Sequence, residues 1–188
     1  MGEEKTRSEL VSLSENYSRA SFAGGCFWCM EPPFERADGV VYVHAGYQGG
    51  EEENPTYEQV SYGLTEHAEA VEVFYDPEKI SYEELLQIFW INIDPTDPTG
   101  QFADKGKQYR TAIFYHDNEQ KRLAEKSKQE LADSGKFSRP VVTQIVPATL
   151  FWRAEEYHQD YYKKNPVHYG RYKKGSGRED YLKKTWGN

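Results

Sequence analysis

Apolar and polar residues alternate through residues 69–75, Glu-Ala-Val-Glu-Val-Phe-Tyr, and the run stops at Asp76-Pro77. A period of two reads as a strand; it puts Glu69, Val71 and Val73 on one face and Glu72 on the other. Beyond the proline the period changes. Ser81-Tyr82-Glu83-Glu84 is a capping box, and Tyr82, Leu85, Leu86, Phe89 and Trp90 follow the i, i+3, i+4, i+7, i+8 stripe of a core-facing helix. That helix ends before Asp94-Pro95.

Shorter signals complete the pattern. Strands are predicted over residues 19–23, 40–43, 109–115 and 141–146, with helices over 118–134 and 155–164. Residues 46–57, rich in glycine, acid and tyrosine, read as a long loop, and such loops often carry function. The order of elements predicts an α+β fold, a two-layer α/β sandwich with a ferredoxin-like core. Helices cover one face of a mixed sheet, and a long irregular segment follows at the C-terminus.

Composition narrows the setting. Residues 1–16 are polar and charged, which predicts a flexible N-terminal arm ahead of a single catalytic domain over 17–188 with a C-terminal extension. A net charge of −8 argues against nucleic acid, because phosphate binding needs clustered Lys and Arg. Arg171, Lys173, Lys174, Arg178, Lys183 and Lys184 do cluster late in the chain. Interleaved with Tyr169, Tyr172 and Tyr181, they read as a solvated aromatic-basic tail. No apolar run reaches the ~18 residues of a membrane span, and the N-terminus lacks a signal-peptide core.

Both cysteines of the 188 residues lie in one hexapeptide, Gly24-Gly25-Cys26-Phe27-Trp28-Cys29. With no other cysteine present, a reducing cytoplasm is the expected compartment. A structural zinc site needs four ligands, and neither a second Cys pair nor suitably spaced histidines accompany these two. No metal is therefore expected. A redox pair is the leading reading, and two buried thiols remain the alternative. A helix opening at the Gly-Gly turn would hold Cys26 in its first turn, where free amides and the dipole depress a thiol pKa. Pro32 and Pro33 conflict with one long helix, so either the helix kinks there or a separate turn precedes a helix starting near Pro32.

Several motifs, in order and with matching spacing from about residue 20 to 170, resemble the class A peptide methionine sulfoxide reductases. They are residues 24–29, Gly46-Tyr47 with Gly49-Gly50, Asn54-Pro55-Thr56-Tyr57, and His67-Ala68-Glu69-Ala70-Val71. Gln101 through Asp104, Gly106, Gln108-Tyr109-Arg110 and Glu156-Tyr157-His158-Gln159 continue the match. The resemblance implies reduction of methionine S-sulfoxide, free or in proteins, without a cofactor beyond a thiol reductant. It implies Cys26 as the attacking thiol and Phe27 and Trp28 as the aromatic pair receiving the S-methyl group. Tyr57 and Tyr109 match hydroxyls that bind the sulfoxide oxygen, Glu69 the acid that protonates it, and Asp104 a supporting polar residue.

A carboxyl on the same face as Val71 and Val73 is desolvated, and this would hold it protonated as such a reaction requires. Sulfenic acids condense with a nearby thiol, and many family members supply one from a C-terminal segment. This chain has no cysteine there, which leaves Cys29 as the resolving candidate and thioredoxin or dithiothreitol as the reductant. Two departures stand out: Ile93 where the family often has His, and Phe102-Ala103 where Gly-Asn is frequent. The Tyr157-His158-Gln159 segment reads as an anchor without a chemical role. A general dithiol-disulfide oxidoreductase and a non-enzymatic peptide-binding module are the competing functions.

Overall fold

The computed structural model describes residues 15–187. The arm expected over 1–16 lies, except for its last two residues, outside the described residues.

In chain order the main elements are β1 (Ser18–Gly24), α1 (Phe27–Glu35), β2 (Val40–Gln48), α2 (Tyr57–Ser61), β3 (Ala68–Tyr75) and α3 (Tyr82–Ile91). A small hairpin of β4 (Gly100–Gln101) and β5 (Asp104–Lys105) precedes a 3-10 turn over Lys107–Tyr109. Then come β6 (Thr111–Tyr115), α4 (Asn118–Asp133), β7 (Gln144–Pro147) and β8 (Trp152–Arg153). A second 3-10 turn over Glu156–His158 leads to α5 (Tyr161–Lys164), α6 (Pro166–Gly175) and α7 (Arg178–Trp186).

The sheet order β7-β6-β1-β3-β2-β8 contains the expected core. Strands β6, β1, β3 and β2 are antiparallel neighbours joined through α1 and α3 in the β-α-β-β-α-β order of a ferredoxin-like unit. The crossover through α4 adds β7 parallel to β6, which makes the sheet mixed.

The capping box at Ser81 forms as predicted: its hydroxyl accepts from the Glu84 amide at 3.2 Å, and the Glu84 carboxylate accepts from the Ser81 amide at 2.8 Å. The buried stripe of α3 packs on the helix-covered sheet face, where Phe22 of β1 stacks on Phe34 at 5.0 Å and on Phe89 at 5.2 Å. Burying a side chain of that size stabilises the fold by roughly 2–3 kcal/mol. Register carries the pattern across: Val43 opposes Val73, Ala45 opposes Val71, and Tyr47 opposes Glu69. Glu69 therefore shares the inner face, as the alternation predicted.

Three expectations change. Strand β2 runs on to Gln48, through Gly46, where the sequence predicts a loop; a Cβ at Gly46 would meet the Trp152 carbonyl at 2.3 Å, so glycine is what admits β8 at this edge. One helix spans Phe27–Glu35 with both prolines inside it, so the separate-turn alternative is overturned. The C-terminal segment is not irregular: it folds as three helices from Tyr161 onward, and it is not solvated throughout, because Arg178 is only 2% exposed.

Candidate active site

The turn after β1 determines where the first cysteine lies. Gly25 has φ of +83°, a left-handed conformation, and a Cβ there would meet the Cβ of buried Gln101 at 2.6 Å. The chain leaves this turn with Cys26 at the N-cap of α1, just ahead of the first turn where the sequence predicts it, and its side chain caps no amide. The Cys29 amide donates to the Cys26 carbonyl at 3.0 Å. Four residues beyond Trp28 and Cys29 stand Pro32 and Pro33, which have no N–H to offer the two carbonyls. The first turn of α1 is thus held by few bonds of its own.

Glu69 is 1% exposed, and its Oε2 accepts from the Phe27 amide at 3.1 Å. Phe27 follows Cys26 directly, so the carboxyl lies against the backbone of the proposed nucleophile. Burial pushes the Glu69 pKa up to about 8; the amide bond opposes this, and the nearby Asp104 charge adds to it. At pH 7 the acid form then leads by about ten to one.

Tyr57 opens α2, whose Thr56–Gln59 capping box is complete, and Tyr109 closes the 3-10 turn after β5. Burial, followed by the field of Glu69, raises the phenol pKa of both, so each keeps its hydroxyl proton. Both also feel the Cys26 sulfur. The structure thus brings Cys26, Cys29, Glu69, Tyr57, Tyr109 and Asp104 into one electrostatic neighbourhood, from five separate stretches of chain.

Asp104 brings in a residue that the sequence reading missed. Its carboxylate accepts a short hydrogen bond from the Tyr172 hydroxyl, on α6 in the C-terminal tail. The same hydroxyl also feels the field of the Cys26 sulfur. Nothing in the local pattern distinguishes Tyr172 from the other 14 of the chain's 15 tyrosines.

The aromatic pair divides in two. Phe27 is buried among Tyr47, Tyr57 and His158. Trp28 is half-buried, stacked on Tyr161 at 3.9 Å and 8° and met edge-on by Tyr172 at 5.7 Å. Its indole N–H donates to His158 Nδ1 at 3.0 Å, and burial holds that imidazole neutral, with its pKa lowered to about 4. The predicted anchor around residue 158 behaves as one. The Gln159 amide group bonds both the N–H and the carbonyl of Ala45 at 2.9 Å, while Glu155 accepts from the Tyr47 hydroxyl and the Tyr57 amide.

The two thiols differ from expectation. Cys26 is raised by burial and by donating its proton toward Cys29, so the depressed thiol predicted there is absent. Cys29 is the lowered one, to about 7, first because Cys26 donates to it and then, against the effect of burial, because Arg178 and Lys173 attract a thiolate.

Among the described residues, Glu31, Glu35 and Asp160 form one carboxylate group close enough to hold a cation. The Lys163 ammonium already fills that role, 2.7 Å from Glu35 and 2.6 Å from Asp160. Neither cysteine belongs to the group.

A family model described as "Peptide methionine sulfoxide reductase" matches residues 18–188. The chain is 55% identical over 175 residues to the peptide methionine sulfoxide reductase MsrA of Bacillus subtilis (strain 168), covering 93% of this chain and 99% of that one. Among solved structures, reduced Mxr1 from Saccharomyces cerevisiae aligns with a TM-score of 0.76 at 35% identity, over 81% of this chain and 88% of that one. Methionine sulfoxide reductase A of Corynebacterium diphtheriae aligns at 0.72 and 34%, over 81% and 76%.

Proposed function

The chain belongs to the peptide methionine sulfoxide reductase family and is an oxidoreductase, and on that premise we propose that it reduces the S epimer of methionine sulfoxide with Cys26 as nucleophile and Glu69 as acid. The observation that carries this reading is Glu69: a buried, proton-bearing carboxyl hydrogen-bonded to the amide next to Cys26. Thiol–disulfide exchange has no departing oxygen for such a group to protonate.

As substrate enters, Cys26 passes its proton to the Cys29 thiolate and attacks the sulfoxide sulfur. Glu69 protonates the departing oxygen, and Tyr57 and Tyr109 donate to it. The protonated oxygen passes from the substrate sulfur to Cys26 as the bond between the two sulfurs breaks, so the substrate gains two electrons and leaves as methionine, and Cys26 becomes the sulfenic acid. The substrate methyl group, its apolar end, lies against Phe27 and Trp28. Asp104 supports the oxygen-binding groups.

Cys29 then attacks the Cys26 sulfur and expels the oxygen as water. Because the prolines leave the Trp28 and Cys29 carbonyls without helical donors, this turn can unwind to let the sulfurs bond. A dithiol donor, thioredoxin in a reducing cytoplasm or dithiothreitol in the test tube, returns the pair to thiols; no other cofactor takes part. Oxidised proteins and peptides are the substrates. No described helix is long and apolar enough to cross a membrane.

Cys26 is only 6% exposed, and the tail covers Trp28 through Tyr161 and Tyr172. Turnover therefore includes withdrawal of the tail. The test is incubation of the purified chain and dithiothreitol with a sulfoxide peptide of defined stereochemistry, read by mass. Loss of one oxygen from the S epimer alone is the expected result; loss from neither epimer, or from the R epimer, overturns the reading.

A further inference from the structure

Arg178 begins α7, and it is buried. Nη2 donates to the Gly24 carbonyl at 2.8 Å, and Nη1 donates to the Asn92 carbonyl at 2.6 Å. Nη1 also lies 3.6 Å from Met30 Sδ, and the guanidinium carbon is 4.6 Å from the Phe102 ring centre. None of these contacts carries a full negative charge. Burying a cation without a counter-ion is unfavourable.

The contacts indicate which anion could compensate it. Gly24 lies two residues before Cys26, and a Cβ on Gly25 would be 2.9 Å from Nη2. Met30 directly follows Cys29. The guanidinium thus packs against the backbone entering the cysteine turn and against the side chain leaving it. The two departures from the family pattern line the same pocket. Phe102, held at a positive φ of 54°, supplies the ring, and Ile93 packs on Gly24 beside the Asn92 carbonyl.

We propose that Arg178 is a positioning residue for the recycling half of the reaction, holding Cys29 as the thiolate that resolves the Cys26 sulfenic acid. The inference rests on the reductase reading above. In the resolving step the Cys29 thiolate forms an S–S bond to Cys26 as the Cys26 S–O bond breaks. Hydroxide leaves and takes up a proton as water. In the reducing step a thiolate of the dithiol donor attacks Cys26 and expels Cys29. The donor's second thiol then closes the donor disulfide and releases Cys26. Arg178 stabilises Cys29 as nucleophile in one step and as leaving group in the other.

Other groups that act on Cys29 are accounted for. Cys26 donates to it and Lys173 attracts its thiolate, whereas Asp104 opposes it. Glu69, Tyr169 and Tyr172 also face the pair, and all three are protonated at neutral pH. Of the two cations, only Arg178 is fully buried. Because it arrives on the tail, the recycling site is complete only when the tail is docked.

The test measures thiolate absorbance against pH in a Cys26→Ser background, where Cys29 is the sole thiol, with the double Cys→Ser chain as blank. Replacing Arg178→Gln keeps a hydrogen-bond donor and removes the charge; Arg178→Lys keeps the charge. The glutamine variant is expected to move the Cys29 midpoint up by about one pH unit or more, and the lysine variant to restore most of it. In the wild-type background, Arg178→Gln should still release one methionine per enzyme, and it should slow disulfide formation at pH 7 roughly tenfold.

An unmoved midpoint in a folded Arg178→Gln chain overturns the proposal. If that chain does not fold, Cys26→Ser with Arg178 intact decides: a Cys29 midpoint at or above the ~8.5 of a free thiol overturns it as well. A wild-type chain that reduces no sulfoxide would instead defeat the reductase reading, whatever the midpoints.

Discussion

The inner face of the sheet and the C-terminal tail both reach Cys26, and they are built in opposite ways. Glu69 is held there by a strand buried on both faces, with neighbours in register on either side. Tyr172 and Arg178 are delivered by two helices that bury few of their own residues and touch the site through a handful of polar and aromatic contacts. The comparison suggests a division of labour. The part of the site that must not move during proton transfer belongs to the core, and the part that must clear a path for substrate belongs to an element that can detach at small cost.

The largest expected effect tests whether Cys29 belongs to the fixed chemistry. Cys29→Ser should still release about one methionine per enzyme and then stop under thioredoxin, as read by a burst without steady-state turnover. Continued cycling would mean that an external thiol resolves Cys26 directly.

Next is Glu69→Gln, expected to lower turnover by at least ~10²-fold, the low end for losing a general acid. Its pH profile carries the sign. Wild-type activity should rise as the thiol pair loses a proton near 7 and fall as Glu69 loses its own near 8; the glutamine variant should lack the alkaline limb. Stability follows the same group in the other direction. The folded pKa is raised from 4.5 to about 8, so the stabilising effect of the bound proton is full below 4.5 and fades as pH rises to 8. The total approaches ~5 kcal/mol. Glu69→Gln should therefore melt higher than wild type at pH 9 and show little gain at pH 4.

Tyr172→Phe tests the tail. If its hydroxyl only holds the tail shut, removing one hydrogen bond worth about 0.5–1.5 kcal/mol should raise kcat/KM by roughly 2- to 10-fold. A fall of similar size would make the hydroxyl part of the reaction itself. The smallest effect belongs to Pro32→Ala, which gives the Trp28 carbonyl a donor. It should raise the melting temperature by a few degrees and slow formation of the Cys26–Cys29 disulfide several-fold, as followed by stopped-flow tryptophan fluorescence.

The parts legible in the sequence are those whose partners lie within a turn or a strand. The alternation in residues 69–75, the Ser81 capping box and the stripe of α3 each report a local period, and the order of the elements restricts the topology. Motif spacing added the family and, with it, the roles proposed for Cys26, Phe27, Trp28, Tyr57, Glu69, Asp104 and Tyr109. Desolvation of Glu69 followed from one face of one strand. The tail gave no such signal, because a short helix rich in lysine and tyrosine reads the same whether or not it docks.

By itself, then, the sequence determined the ferredoxin-like core, the lone cysteine pair and the acid on the inner face, since each depends on a short-range pattern of burial. Only the tertiary structure decided that Cys29, rather than Cys26, is the thiol with the lowered pKa. The proton offered by Cys26 contributes most, and a guanidinium 149 positions further along the chain adds to it, because electrostatic energy depends on distance in space rather than along the sequence.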